Sequence, residues 1–169
     1  MRFVGTRLFR GALSSASTLI VLAAWALPAS AASLSRSVDV DGSPSAIWSA
    51  IGPFCAIGQW HPAIATCSED GKSPPTRTLS TKDGKATFVE LQVANSPEKH
   101  SYSYSFVSSP LPVTHYRSTL QVTAKDKAHS VVTWRGDYRP DQGKEKDAET
   151  ALSGIYEAGL QAIKAKFER

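Results

Sequence analysis

The sequence predicts an α+β domain: a curved antiparallel sheet closed on one long C-terminal helix, with two short helices after the first strand. Three observations predict it. Successive segments between Arg77 and Tyr138 alternate apolar and polar residues with period two and are separated by Gly, Pro, Asn and Asp turns. From about Lys144 the period becomes that of a helix. Ahead of the strands, Ser43-Pro44 is a helix start, and Gly52-Pro53 and His61-Pro62 each stop a helix.

Residues 33–40 read as a strand with Leu34, Val38 and Val40 on one face and Ser33, Ser35, Ser37 and Asp39 on the other. Asp41-Gly42 ends it. Ser43 caps the helix that follows, whose Ile47, Trp48 and Ile51 fall on one side. A second short helix over 54–59 turns Phe54, Ile57 and Cys55 inward, and Pro62 forces its end near Trp60. Residues 64–68 form a strand, and 69–75 a polar turn. Residues 77–81 then meet 84–93 across Lys82-Asp83-Gly84, whose Asp-Gly step is a hairpin signal. Asn95-Ser96-Pro97-Glu98 leads into 101–107, where Tyr102, Tyr104 and Phe106 alternate with serines, as in a sheet with one buried face. Ser109-Pro110-Leu111-Pro112 interrupts pairing and marks an edge or a flap that gates the interior. Tyr116, Ser118, Leu120 and Val122 define the next strand, and Val132, Trp134, Gly136 and Tyr138 share one face of the last. The closing helix carries the stripe Ala148, Leu152, Ile155, Tyr156, Gly159, Leu160, Ile163 and Phe167, and Gly154 and Gly159 allow close approach to the sheet or leave room beside it.

Residues 1–31 have the zones of a secretory signal: Arg2, Arg7 and Arg10, an apolar run over 12–27, a break at Pro28, and small residues at Ala29-Ser30-Ala31. Cleavage near Ala31 would leave residues 32–169 as one exported domain, periplasmic or secreted, with no stable membrane anchor. It would remove three arginines and no acid, lowering the formal charge from +4 to +1. A near-neutral domain lacks the field that nucleic-acid binding requires. In an oxidising compartment Cys55 and Cys67 are placed to form a disulfide, the alternatives being two separate buried thiols or a metal pair; one histidine between them makes a poor zinc pattern. No metal or cofactor is expected. Phosphate loops, nucleophile elbows and metal-ligand clusters are absent from the sequence, which leaves kinase, hydrolase and dehydrogenase chemistry without residues.

This order of elements, together with Phe54-Cys55-Ala56-Ile57-Gly58-Gln59-Trp60-His61-Pro62, Tyr102-Ser103-Tyr104, Ser109-Pro110-Leu111-Pro112-Val113, Val132-Thr133-Trp134 and Gly154-Ile155-Tyr156-Glu157-Ala158-Gly159-Leu160, resembles the polyketide cyclase and dehydrase branch of the START and Bet v 1-like (SRPBCC) superfamily. The resemblance implies a helix-grip fold with an apolar cavity between sheet and helix, holding a lipid- or polyketide-like ligand. A minority of such proteins catalyse, and exported members include accessory proteins of periplasmic methanol oxidation.

Trp60 and His61 are expected at the mouth of that cavity, with Tyr102, Tyr104, Phe106, Tyr116 and Trp134 on the concave face opposite Ile155 and Gly159. Core packing and turn capping are the competing roles for these residues, and a strand shifted by one residue would turn its whole set outward. For an enzyme of cyclase or dehydratase type, His61 and Glu90 are the candidate acid and base; Glu90 is otherwise a solvated residue beside Phe88 and Gln92. His100, His115 and His129 read as surface residues. A third role, docking a periplasmic oxidoreductase, would use an exposed Trp-His-Pro turn.

Overall fold

A computed structural model describes residues 30–168. The expected export signal therefore lies outside the described residues except for its last two. Helix α1 (Pro44–Ile51) begins where the sequence places it: the Ser43 side chain accepts from the Ala46 amide, Pro44 occupies the first turn, and Ile47 and Ile51 are fully buried. After Gly52-Pro53 the chain makes a 3-10 turn (Phe54–Ala56) that runs into α2 (Ile57–Trp60), which stops at His61 in extended geometry before Pro62.

Seven strands form one antiparallel sheet: β1 (Ala32–Asp41), β2 (Ile64–Glu69), β3 (Thr76–Thr81), β4 (Thr87–Ser96), β5 (Ser101–Ser108), β6 (Val113–Ala124) and β7 (His129–Pro140). Their order across the sheet is β1-β7-β6-β5-β4-β3-β2, a meander whose last strand pairs with the first. Helix α3 (Glu145–Phe167) lies along β1 and β7, with Ala148, Leu152, Tyr156, Leu160 and Ile163 buried. Arg36 of β1 ties it down from outside, Nε donating to Glu157 at 2.7 Å and Nη2 to Ser153 at 2.6 Å. Acidic residues in its first turn and lysines in its last oppose the helix dipole.

Three features differ from expectation. β4 starts at Thr87 rather than near Gly84, because Asp83 turns the chain through Gly84 (φ +68°) and its Oδ1 takes the Lys85 amide at 3.0 Å. The Pro110-Pro112 segment joins two interior strands and so marks no sheet edge. Gly154 points away from the sheet with nothing within 4 Å of its Cβ position, whereas Gly159 supplies the close approach.

The two cysteines are bonded, with Cα atoms 5.5 Å apart, joining the 3-10 turn to β2. None of the helices among the described residues is long and apolar enough to cross a membrane.

An apolar cavity beneath the C-terminal helix as candidate functional site

The inward faces of the strands and the underside of α3 enclose a cavity of about 170 Å³. Alternation along the strands sends Leu79, Phe88, Tyr104, Phe106, Tyr116 and Trp134 into it, and the helical stripe adds Leu152 and Ile155. Ile57, His61 and Ile64 close the end nearest α2, and the exposed Ala63 and half-buried Thr81 form the rim.

β5 and β6 pair from Ser101↔Gln121 only as far as Ser105↔Arg117, then part around the Ser109–Pro112 connection. A bulge between Thr114 and Arg117, with His115 in left-handed geometry (φ +52°), re-aims the side chains of β6 there. Tyr116 stacks on Phe106 with ring centroids 3.8 Å apart and planes within 10°. Both rings line the cavity and the open groove outside it, so this pair is the partition between them.

The tyrosine hydroxyls form a directed chain. Ser118 Oγ donates to the Arg135 carbonyl at 2.7 Å and must therefore accept from Trp134 Nε1 (3.0 Å) and from Tyr156 (3.0 Å). Tyr156 then accepts from Tyr116 at 2.7 Å, while Tyr104 accepts from Trp134 Nε1 at 3.1 Å and donates weakly toward Tyr116 at 3.4 Å. Every hydroxyl proton is consumed within the chain. Burial holds Tyr104 and Tyr116 well above the ordinary phenol range and pushes Tyr156 up to about 12. These tyrosines are poor proton donors to a bound molecule.

Glu90 lines the cavity but is not solvated. Phe88, Glu90 and Gln92 are all buried, and Glu90 pairs across the hairpin with Arg77, which is completely buried. Arg77 Nε and Nη2 both meet Glu90 Oε2 at 2.6 Å, and Nη1 donates to the Phe54 carbonyl. The guanidinium also lies 4.0 Å from the Phe54 ring centroid and 5.0 Å from that of Tyr104. Burial raises the Glu90 carboxyl above its ordinary range while the Arg77 charge pulls it back. Arg77 had no place in the sequence reading, yet the register signals it: the hairpin that opposes Leu79 to Phe88 opposes Arg77 to Glu90.

His61 is nearly fully buried. Its Nε2–H donates to the Ile155 carbonyl at 3.0 Å and its Nδ1 accepts from the Ala63 amide at 3.2 Å, an assignment made from the two partners. Both ring nitrogens are thus occupied, and among the described residues no hydrogen bond joins His61 to Glu90. Both residues line the cavity without forming an acid–base pair. Burial lowers the His61 pKa, the Ile155 bond opposes this, and the charges of Arg77 and Lys82 add to the lowering. A depressed pKa contributes stability above the unfolded value of about 6.5 that is lost as pH falls toward the folded one. Unfolding free energy of the wild type should therefore decline on acidification from neutrality, more steeply than in His61→Gln. Equal pH slopes in denaturant titrations would refute this.

Of the expected ligand contacts, His61, Tyr104, Tyr116, Trp134 and Ile155 line the cavity, whereas Trp60, Tyr102 and Gly159 stand behind its wall. Trp60 meets Trp134 edge-on at 5.7 Å, and Tyr102 meets Phe54 edge-on at 5.5 Å. A Cβ on Gly159 would lie 2.7 Å from Trp134, 2.8 Å from His61 and 3.1 Å from Trp60. Gly159→Ala should accordingly lose about 1–3 kcal/mol through overpacking, although helix propensity favours alanine. Gly154→Ala should gain about 0.5–1 kcal/mol, and thermal melts of the pair would expose any reversal. Of the Trp-His-Pro turn only Pro62 is exposed: Trp60 and His61 are 5% and 3% exposed, drawn inward by packing against Trp134.

The family model described as polyketide cyclase / dehydrase and lipid transport matches residues 31–168. Among solved structures, the protein XoxI from Bacillus cereus is 31% identical with a TM-score of 0.76, over 80% of this chain and 95% of that one. A Thermobifida fusca protein is 27% identical with a TM-score of 0.72, over 80% of this chain and 92% of its own. The Zhui aromatase/cyclase from Streptomyces sp. R1128, at 14% identity over 83% of this chain and 95% of its own, shares the fold with a TM-score of 0.67. No curated protein matches the sequence.

Proposed function

Because the chain belongs to the polyketide cyclase / dehydrase and lipid transport family, we propose that it is an exported binding protein that shelters a small apolar molecule between its sheet and its C-terminal helix. The observation that carries this is the 170 Å³ cavity, walled by aromatic and aliphatic side chains whose polar groups are largely satisfied by one another. Export is supported by the leader-like residues 1–31 and by the Cys55–Cys67 disulfide, a bond that persists in oxidising compartments. In this reading the Ser109–Pro112 connection and the Phe106–Tyr116 partition would gate entry, a role supported by the parting of β5 from β6 there.

Native mass spectrometry of the protein purified from its own host tests this reading. A co-purifying small mass lost on denaturation is expected. Repeated absence of such a mass, with no uptake of apolar probes, would overturn it.

A cyclase or dehydratase is the second reading, favoured by His61 and Glu90 both lining the cavity. It requires His61 to leave one of its present partners when substrate binds. Unchanged turnover in both His61→Gln and Glu90→Gln would remove it. Docking of an oxidoreductase through Trp60 and His61 has no support from their buried position.

A further inference from the structure

We infer that the cavity selects a compact, single-ring-sized apolar molecule carrying one hydrogen-bond donor, a phenol being the simplest member of the class, and that Glu90 Oε1 receives that donor. This rests on the cavity being a ligand site.

The size follows from volume. About 170 Å³ is close to the roughly 150 Å³ of an engineered apolar cavity that takes up benzene, and it is too small to bury a molecule of several fused rings or a long acyl chain whole. The shape of the lining agrees, since Phe88, Tyr104, Phe106 and Trp134 present rings that a flat ligand can meet face or edge.

The donor follows from the ion pair. Arg77 uses both of its contacts to Glu90 on one oxygen, Oε2. Oε1 has no hydrogen-bond partner among the described residues, although Glu90 is only 4% exposed and lines the cavity. A carboxylate oxygen accepts and cannot donate, and one that faces an apolar cavity without a partner favours a ligand that brings a donor. The other donors on the wall are taken: the tyrosine protons run along the chain to Arg135, and His61 is bonded at both nitrogens. The phenol oxygens of Tyr104 and Tyr116 can still accept, but Glu90 Oε1 is the charged acceptor on this wall that no described residue occupies, and a charged acceptor makes the stronger bond.

The experiment compares phenol, benzene, benzaldehyde, naphthalene and decanoate by NMR titration against wild type and Glu90→Gln. In the variant the amide oxygen stays with Arg77 and the NH2 group takes the place of Oε1, so the site would offer a donor where it now offers an acceptor. Wild type should bind phenol about tenfold or more tighter than benzene, as expected for a hydrogen bond to a charged group, and the variant should prefer benzaldehyde to phenol. Equal affinity of wild type for phenol and benzene would overturn the donor and leave the apolar site standing. Binding of naphthalene or decanoate but of no single-ring probe would overturn the size. Failure of every probe would overturn the cavity reading as well. Should Glu90→Gln not fold, a wild-type crystal soaked in phenol decides the matter: oxygen beside Oε1 supports the inference, and oxygen elsewhere refutes it.

Discussion

Glu90→Ala should be among the most destabilising single substitutions in this chain, lowering the unfolding free energy by about 3–5 kcal/mol. Arg77 is 0% exposed, and its partner's side chain is 6% exposed, so the remaining guanidinium could not recover hydration without opening the sheet. Its bond to the Phe54 carbonyl and its contacts with the Phe54 and Tyr104 rings would survive, but they do not neutralise a buried charge. Removing both charges is a different experiment. Arg77→Met combined with Glu90→Leu replaces the pair by side chains of similar reach and should recover most of the loss, since apolar replacements of buried pairs are often neutral or better. Urea titrations of the single and double variants form the test. A single variant as stable as wild type would mean that water reaches Arg77, and the description of a dry ion pair would fail.

The same pair shows where sequence reasoning reached and where it stopped. Element order, the long amphipathic helix and the inward phase of β5, β6 and β7 were legible because each rests on periodicity over many residues. The charge pair was legible only in principle. It required combining the Asp83-Gly84 turn with strand register, and the register in turn depends on where the turn ends. Gly154 and Gly159 were treated alike, although five residues advance a helix by about 140°, which sends one outward when the other faces in. The bulge at His115 leaves no signature in the alternation pattern, which runs unbroken from Tyr116 to Val122. Chain position points Trp60, and strand phase points Tyr102, toward the cavity, but a face of a sheet has more aromatic residues than a 170 Å³ space can touch.

Replacing both cysteines, Cys55→Ser with Cys67→Ser, should lower stability by roughly 3 kcal/mol on the chain-entropy account, given the twelve-residue separation of the bonded pair. The loop closed by this bond carries Ile57, His61, Ala63 and Ile64, four of the residues that line the cavity. Two outcomes for ligand binding can therefore be told apart. If the bond acts on the unfolded chain, the native rim keeps its shape, because it is also held by the Ile64 amide on the His61 carbonyl (3.2 Å), the Lys82 amide on the Ala63 carbonyl (2.9 Å) and His61 on Ile155 (3.0 Å). Stability then falls while affinity for an apolar probe is retained, and native-state hydrogen exchange over 57–64 slows or quickens only with global unfolding. If the bond instead holds the rim in place, affinity falls in step with stability and those amides exchange by local opening. The density of backbone anchors favours the first outcome. A double variant with wild-type stability would show that the crosslink constrains neither state.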